Sequence, residues 1–297
     1  MEPRTLSFDR LIACAFFLLM CCSSGVHAQV PAIVAKLQAQ DYATLDAEMN
    51  DAQKRFEAGE LDEDGLRKAF QPFGNARLRR FEPQLLAWAA QLPQSYAAHF
   101  ALGRFYLERG VAARGNKYYE KTSKAQIDSM THDFQLAEAQ LRQSLPLTAK
   151  PYLSLFDMMA IAGHVSGEAQ LEALLLMANE ALPGNTGAHM RFARYLLPRW
   201  GGSYASFDQF IERSRKEGAS PSLLQQMAAL EHNDRGMVLS EKGEAEDAKA
   251  EYTQALELAR QSGGDPDRFS RMYLAASLRH LCNGADGAAS SACPAMP

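Results

Sequence analysis

Histidines, cysteines, tryptophans and clustered arginines are the residues with which this chain could do chemistry, and their spacing offers little of it. The histidines at 99, 132, 164, 189, 232 and 280 never fall three or four positions apart. That spacing would set two imidazoles on one helix face as metal ligands. No HExxH, phosphate-binding loop, GxGxxG or GxSxG motif occurs. Gly163-His164-Val165-Ser166-Gly167 resembles a nucleophile elbow, but its serine comes one position late and no strand precedes it. The acidic run over 46–65 lacks the alternating oxygen ligands of a calcium loop. An enzyme site assembled from distant helices would have to draw on sparse polar groups such as Asp157, His164 and Glu168. The expectation is a chain with no catalytic residue, no metal and no cofactor.

Recognition chemistry has more to work with. Trp, Tyr and Arg are the usual anchors of binding surfaces, and they gather in Pro198-Arg199-Trp200-Gly201-Gly202-Ser203-Tyr204. Pro198 pushes residue 197 out of the helical region and ends a helix carrying Phe192, Tyr195 and Leu196. The glycine pair permits positive φ and a close approach, and Ser203 suits the N-cap of a helix starting at Tyr204. Arg194, Arg199, Trp200 and Tyr204 are the binding candidates of this corner. It reads either as an aromatic-packed turn or as a recognition spot. A second candidate is basic. Arg114, Lys117, Lys121 and Lys124 would follow one face of a helix over 111–132 and suit an acidic partner or an anionic envelope polymer. A solvated face is the other reading.

The elements that must position these groups are helical. From residue 40 onward the apolar period is 3.6, with no alternating strand run. Leu45, Met49, Ala52 and Phe56 make one such stripe, stopped at Gly59; Leu78, Leu85, Trp88 and Leu92 make another before Pro93. Ser220-Pro221 and Asp265-Pro266 each join an N-cap to a proline at the first helical position. The segment over 228–260 resembles a tetratricopeptide repeat, two antiparallel helices in about 34 residues. Gly236, Gly243, Ala248, Tyr252 and Ala255 stand at its small and aromatic positions. Leu102, Gly103, Tyr106 and Gly110 make a half-match, its partner helix delayed to 133–145 by an insertion over 111–132. Stretches 150–183 and 186–216 fit degenerate helix pairs. The expected fold is an all-α, tetratricopeptide-like solenoid of degenerate repeats over 29–282, closed by a capping helix from Asp265; a non-repeating bundle is the alternative.

Four segments carry a family likeness: 88–106, Ala112-Ala113-Arg114-Gly115, 191–204 and the helix pair around 228–258. Together they resemble the bacterial domain-of-unknown-function 4034 family, and Pro198–Tyr204 is the most specific piece. The resemblance implies a tetratricopeptide-like protein, often exported, with no assigned activity.

Charge and ends bound the rest. The 297 residues carry a net charge of −4, which disfavours a nucleic-acid partner because no basic face displaces counterions. Residues 1–28 read as a cleaved signal peptide: Arg4 and Arg10, an apolar run over 11–22, then Val26-His27-Ala28. A run of that length covers about 18 Å, short of a roughly 30 Å hydrocarbon core. Processing as a lipoprotein at Cys21 or Cys22 is the alternative. The mature chain is expected in the bacterial periplasm without a transmembrane span. Its two cysteines, Cys282 and Cys293, would close a disulfide at the start of a flexible tail over 283–297. The function expected is interaction or scaffolding, with another protein or an extended peptide as partner. The alternatives are an enzyme with a dispersed site and a lipid-anchored envelope component.

Overall fold

The computed structural model describes residues 25–115 and 121–263. Among them all regular structure is helical, and no helix is long and apolar enough to cross a membrane. Most of the signal segment, Lys117, the helix expected from Asp265, and Cys282 with Cys293 lie outside the described residues. The chain divides into two compact units, 1–140 and 141–297.

The first unit holds α1 (Gly25–Ala39), α2 (Tyr42–Glu57), α3 (Glu63–Phe70), α4 (Glu82–Gln91), α5 (Tyr96–Arg114) and most of α6 (Lys124–Ser144). Helical structure therefore begins before residue 40, the start that the periodicity suggested. Val30, Ile33 and Leu37 of α1 are buried. The expected stripe of Leu78, Leu85, Trp88 and Leu92 is divided. Leu78 sits on a 3₁₀ turn over Ala76–Phe81, whereas Leu85 and Trp88 belong to α4. Glu82-Pro83 accounts for the break: proline fits the first turn of α4, where its missing N–H costs nothing, and would remove a hydrogen bond from the interior of a longer helix. The core is aromatic, with Phe70 edge-on to Phe100 at 4.9 Å and Phe73 tilted on Trp88 at 5.8 Å. Asp46 fastens α2 to α4 and α5, accepting from Trp88 Nε1 at 3.0 Å and from Ser95 Oγ. Ser95 in turn caps α5, accepting from Ala98 N at 3.1 Å.

The insertion expected over 111–132 is mostly helix. α5 runs on to Arg114, Gly115 turns the chain out at φ +73°, and α6 starts at Lys124. This corrects the basic face. Arg114 ends α5, Lys121 stands in the connection and Lys124 opens α6, so no single helix carries them. The Cβ-free conformation of Gly115 ended the helix that the face required.

The second unit contains α7 (Tyr152–Val165), α8 (Glu168–Ala181), α9 (Gly187–Tyr195), α10 (Tyr204–Lys216), α11 (Pro221–Lys242) and α12 (Ala245–Gln261). Two-residue connections fold α7 with α8 and α11 with α12 into antiparallel hairpins. Glycines let helices approach: a Cβ on Gly236 would lie 2.7 Å from the Tyr252 ring across the α11–α12 hairpin, and one on Gly163 of α7 would lie 2.2 Å from the Tyr195 ring of α9. Gly110 stands in the same relation to Phe134 in the first unit, at 2.8 Å. Ala248, Tyr252 and Ala255 of α12 are buried.

Candidate interaction site

The corner at Pro198–Tyr204 is built by α9, which is pinned to α7. Arg191 and Tyr195, one turn apart, donate to the carbonyls of Phe156 and Ala160, also one turn apart; the tyrosine bond is 3.2 Å. The Arg191 guanidinium lies 3.4 Å over the Phe156 ring and 3.6 Å from the buried Asp157 carboxylate. α9 then stops as the sequence requires. Leu197 is extended at ψ 150°, Pro198 opens a 3₁₀ turn, and Gly201 takes φ +93°. Gly202 approaches the backbone so closely that a Cβ there would stand 2.1 Å from Leu196 O. Ser203 caps α10, accepting from Ser206 N at 3.1 Å.

Four sequence candidates meet here. Trp200 is half-buried, edge-on to Tyr195 at 5.2 Å and to His164 at 5.8 Å, with the Arg194 guanidinium 4.1 Å over its ring. Arg199 faces Glu241 at 3.5 Å and Asp234 at 3.9 Å. Tyr204 donates to Asp234 at 3.0 Å, and the Arg235 guanidinium covers its ring at 4.0 Å. Burial pushes the Asp234 carboxyl above the ordinary carboxylate range, against the opposing pull of Tyr204 and Arg199. The Tyr204 phenol is pushed up, chiefly by burial and then by the Asp234 charge. Arg199 and Tyr204 thereby join the α9–α10 turn to α11. Arg114 and Lys121 belong to the other unit and are no part of the corner.

The dispersed polar trio does not converge. Asp157 and His164 are two turns apart on α7, about 10 Å along the axis. Asp157 is buried beside Arg191, and His164 Nδ1 donates to Ala160 O at 2.7 Å. Glu168 is exposed at the start of α8. Among the described residues no three His, Cys, Asp or Glu gather as metal ligands would.

Sequence reasoning passed over the outer face of α8. Leu171, Leu174, Leu175 and Ala178 face inward, at the spacing of one helix side. Ala169, Ala173, Leu176 and Met177 keep the same spacing on the opposite side and are exposed. Leu176 is 60% and Met177 44% accessible. The signal was the unbroken Leu174-Leu175-Leu176-Met177 run, too continuous for a helix with one buried side. Comparison with family models, curated proteins and solved structures finds no match.

Proposed function

We propose that this chain is an exported helical-repeat protein acting as an interaction or scaffolding module, with another protein as partner and no chemistry of its own. The observation that carries the reading is α8. Its outward side leaves Leu176 and Met177 exposed beside Glu180, and large apolar side chains exposed together mark a surface that a partner covers. The two antiparallel hairpins, and the glycine-on-aromatic contact within α11–α12, support the repeat reading. So do the segments that resemble the domain-of-unknown-function 4034 family. Export rests on the signal-like residues 1–28 and on a terminal pair of cysteines suited to an oxidising compartment.

Photo-crosslinking tests the reading. A crosslinking residue at position 176, in the full chain expressed in its envelope, should give one defined adduct whose peptide maps to a single protein. The pair Leu176→Asp and Met177→Asp should abolish that complex while the helical melt stays within about 0.5 kcal/mol, as for exposed positions. No discrete adduct, or an unchanged complex in the double variant, would overturn it.

A further inference from the structure

The first unit carries a cleft of about 160 Å³ between the 3₁₀ turn over Ala76–Phe81 and the last turns of α5. Its chemistry follows from two periodicities. A 3₁₀ helix eclipses positions i and i+3. Leu78 and Phe81 therefore fall together and are buried, and Ala76 and Arg79 fall together and line the cleft. Arg77 and Arg80 share the third ridge. On α5, Phe105, Glu108 and Ala112 repeat at helical spacing and form the facing wall beside Val111.

Arg77, Arg79 and Arg80 are all exposed, and none of their guanidinium groups has a hydrogen bond or ion pair with another described residue. Arg80 lies 5.0 Å over the Phe81 ring. Their neighbour Arg109 is different: it is held by Asp133 at 2.6 Å and by Glu82 at 2.6 Å. Three arginines in four positions, without partners among the described residues, are a concentration of positive charge in a chain of net charge −4. Guanidinium forks match carboxylates bidentately. The floor beside them is apolar, from Phe73 and Phe105, with Val111 37% accessible at the rim.

We infer that this cleft docks an acidic peptide segment of another protein, seating one apolar side chain against Phe105 and Val111 while Arg79, Arg77 and Arg80 hold flanking carboxylates. Two observations favour a peptide. The volume is well below the roughly 300–1,000 Å³ of small-molecule sites and suits a single side chain. Glu108, held by Arg104 at 2.7 Å, stands in the same wall. Its carboxylate can accept a peptide N–H at the apolar side chain's own backbone, a donor that a phosphate-rich surface or nucleic-acid backbone does not offer. The inference uses no residue of α8 and stands apart from the function proposed above.

The test is fluorescence anisotropy with the full chain and a labelled peptide of aspartates and glutamates flanking one leucine. Binding should fall at least tenfold when the acids become Asn and Gln, when the leucine becomes serine, and when Arg79 is changed to Gln. The triple change Arg77→Gln, Arg79→Gln and Arg80→Gln should cost about a hundredfold, and Val111→Asp at least tenfold, with unchanged melting of every variant. Added salt should weaken the acidic peptide. No binding, equal binding of acidic and amide peptides, or wild-type affinity in the triple variant would overturn the inference. So would arginine-dependent binding to phosphatidylglycerol vesicles or single-stranded DNA without the peptide effect. Self-association lost in the triple variant would make a second copy the occupant and overturn it likewise.

Discussion

Trp88 and Trp200 show why identity alone does not set a residue's weight. Trp88 is fully buried and hydrogen-bonded to Asp46, whereas Trp200 is half-buried and leans on Tyr195, His164 and Arg194. Trp88→Ala should cost about 3–5 kcal/mol and Trp200→Ala about 1–2 kcal/mol, read from urea unfolding. Equal losses would show that the corner packs as tightly as the core. Asp234 is a second case. The fold resists ionising this buried carboxyl and the unfolded chain does not. Its contribution is therefore complete at pH values below the ordinary carboxylate range, near roughly 4, and is lost as pH rises through the elevated folded value. Asp234→Asn should lose less stability than the native chain between those limits; parallel curves would contradict this. In the sequence, Trp200 and its arginines were legible as a cluster because they are adjacent. Asp234, Arg235 and Glu241 were not, since thirty positions separate Tyr204 from its hydrogen-bond partner.

At the scale of elements, local chemistry was readable and continuity was not. Ser203 and Ser220 cap α10 and α11 as their positions suggested, because an N-cap depends on three neighbouring residues. The stripe around Leu78 and the basic face around Arg114 both failed where the helix is interrupted, at the 3₁₀ turn ahead of Pro83 and at Gly115 with its positive φ. Periodicity counts apolar positions and does not see the backbone angle that interrupts them. The adjacent glycines of the corner are needed for different reasons. Gly201→Ala meets no atom but must hold φ +93°, costing about 1–2 kcal/mol. Gly202→Ala drives its Cβ into backbone at Leu196 and should cost about 3 kcal/mol. Thermal melts of the two variants check the order, and the reverse order would mean that the turn yields more easily than its geometry implies.

For the whole molecule, the all-helical character of the described residues was legible, since strand alternation never appears in the sequence and caps and stops recur. The grouping into 1–140 and 141–297 was not, because it depends on which helices touch. The N-terminus offers a test at this scale. Cleavage after Ala28 would fall within α1, yet the buried Val30, Ile33 and Leu37 all follow it. A chain beginning at Gln29 should therefore melt within about 0.5 kcal/mol of one beginning at Gly25. On the export proposed above, N-terminal sequencing of the chain recovered from the periplasm should begin at Gln29. A markedly weaker truncated chain would show that the four removed residues hold α1 in place.

Tyr252 on Gly236 and Tyr195 on Gly163 also set a clock. A ring resting on bare helix backbone has no room to rotate about its Cβ–Cγ axis until the two helices part, because packed interiors leave no slack. The frequency of its half-turns therefore counts how often the two helices part, α11 from α12 for Tyr252 and α7 from α9 for Tyr195. Nuclear magnetic resonance should resolve the two edges of each ring as separate signals, merging as the temperature rises toward unfolding. Gly236→Ala, by wedging the helices apart, should merge those of Tyr252 at a lower temperature.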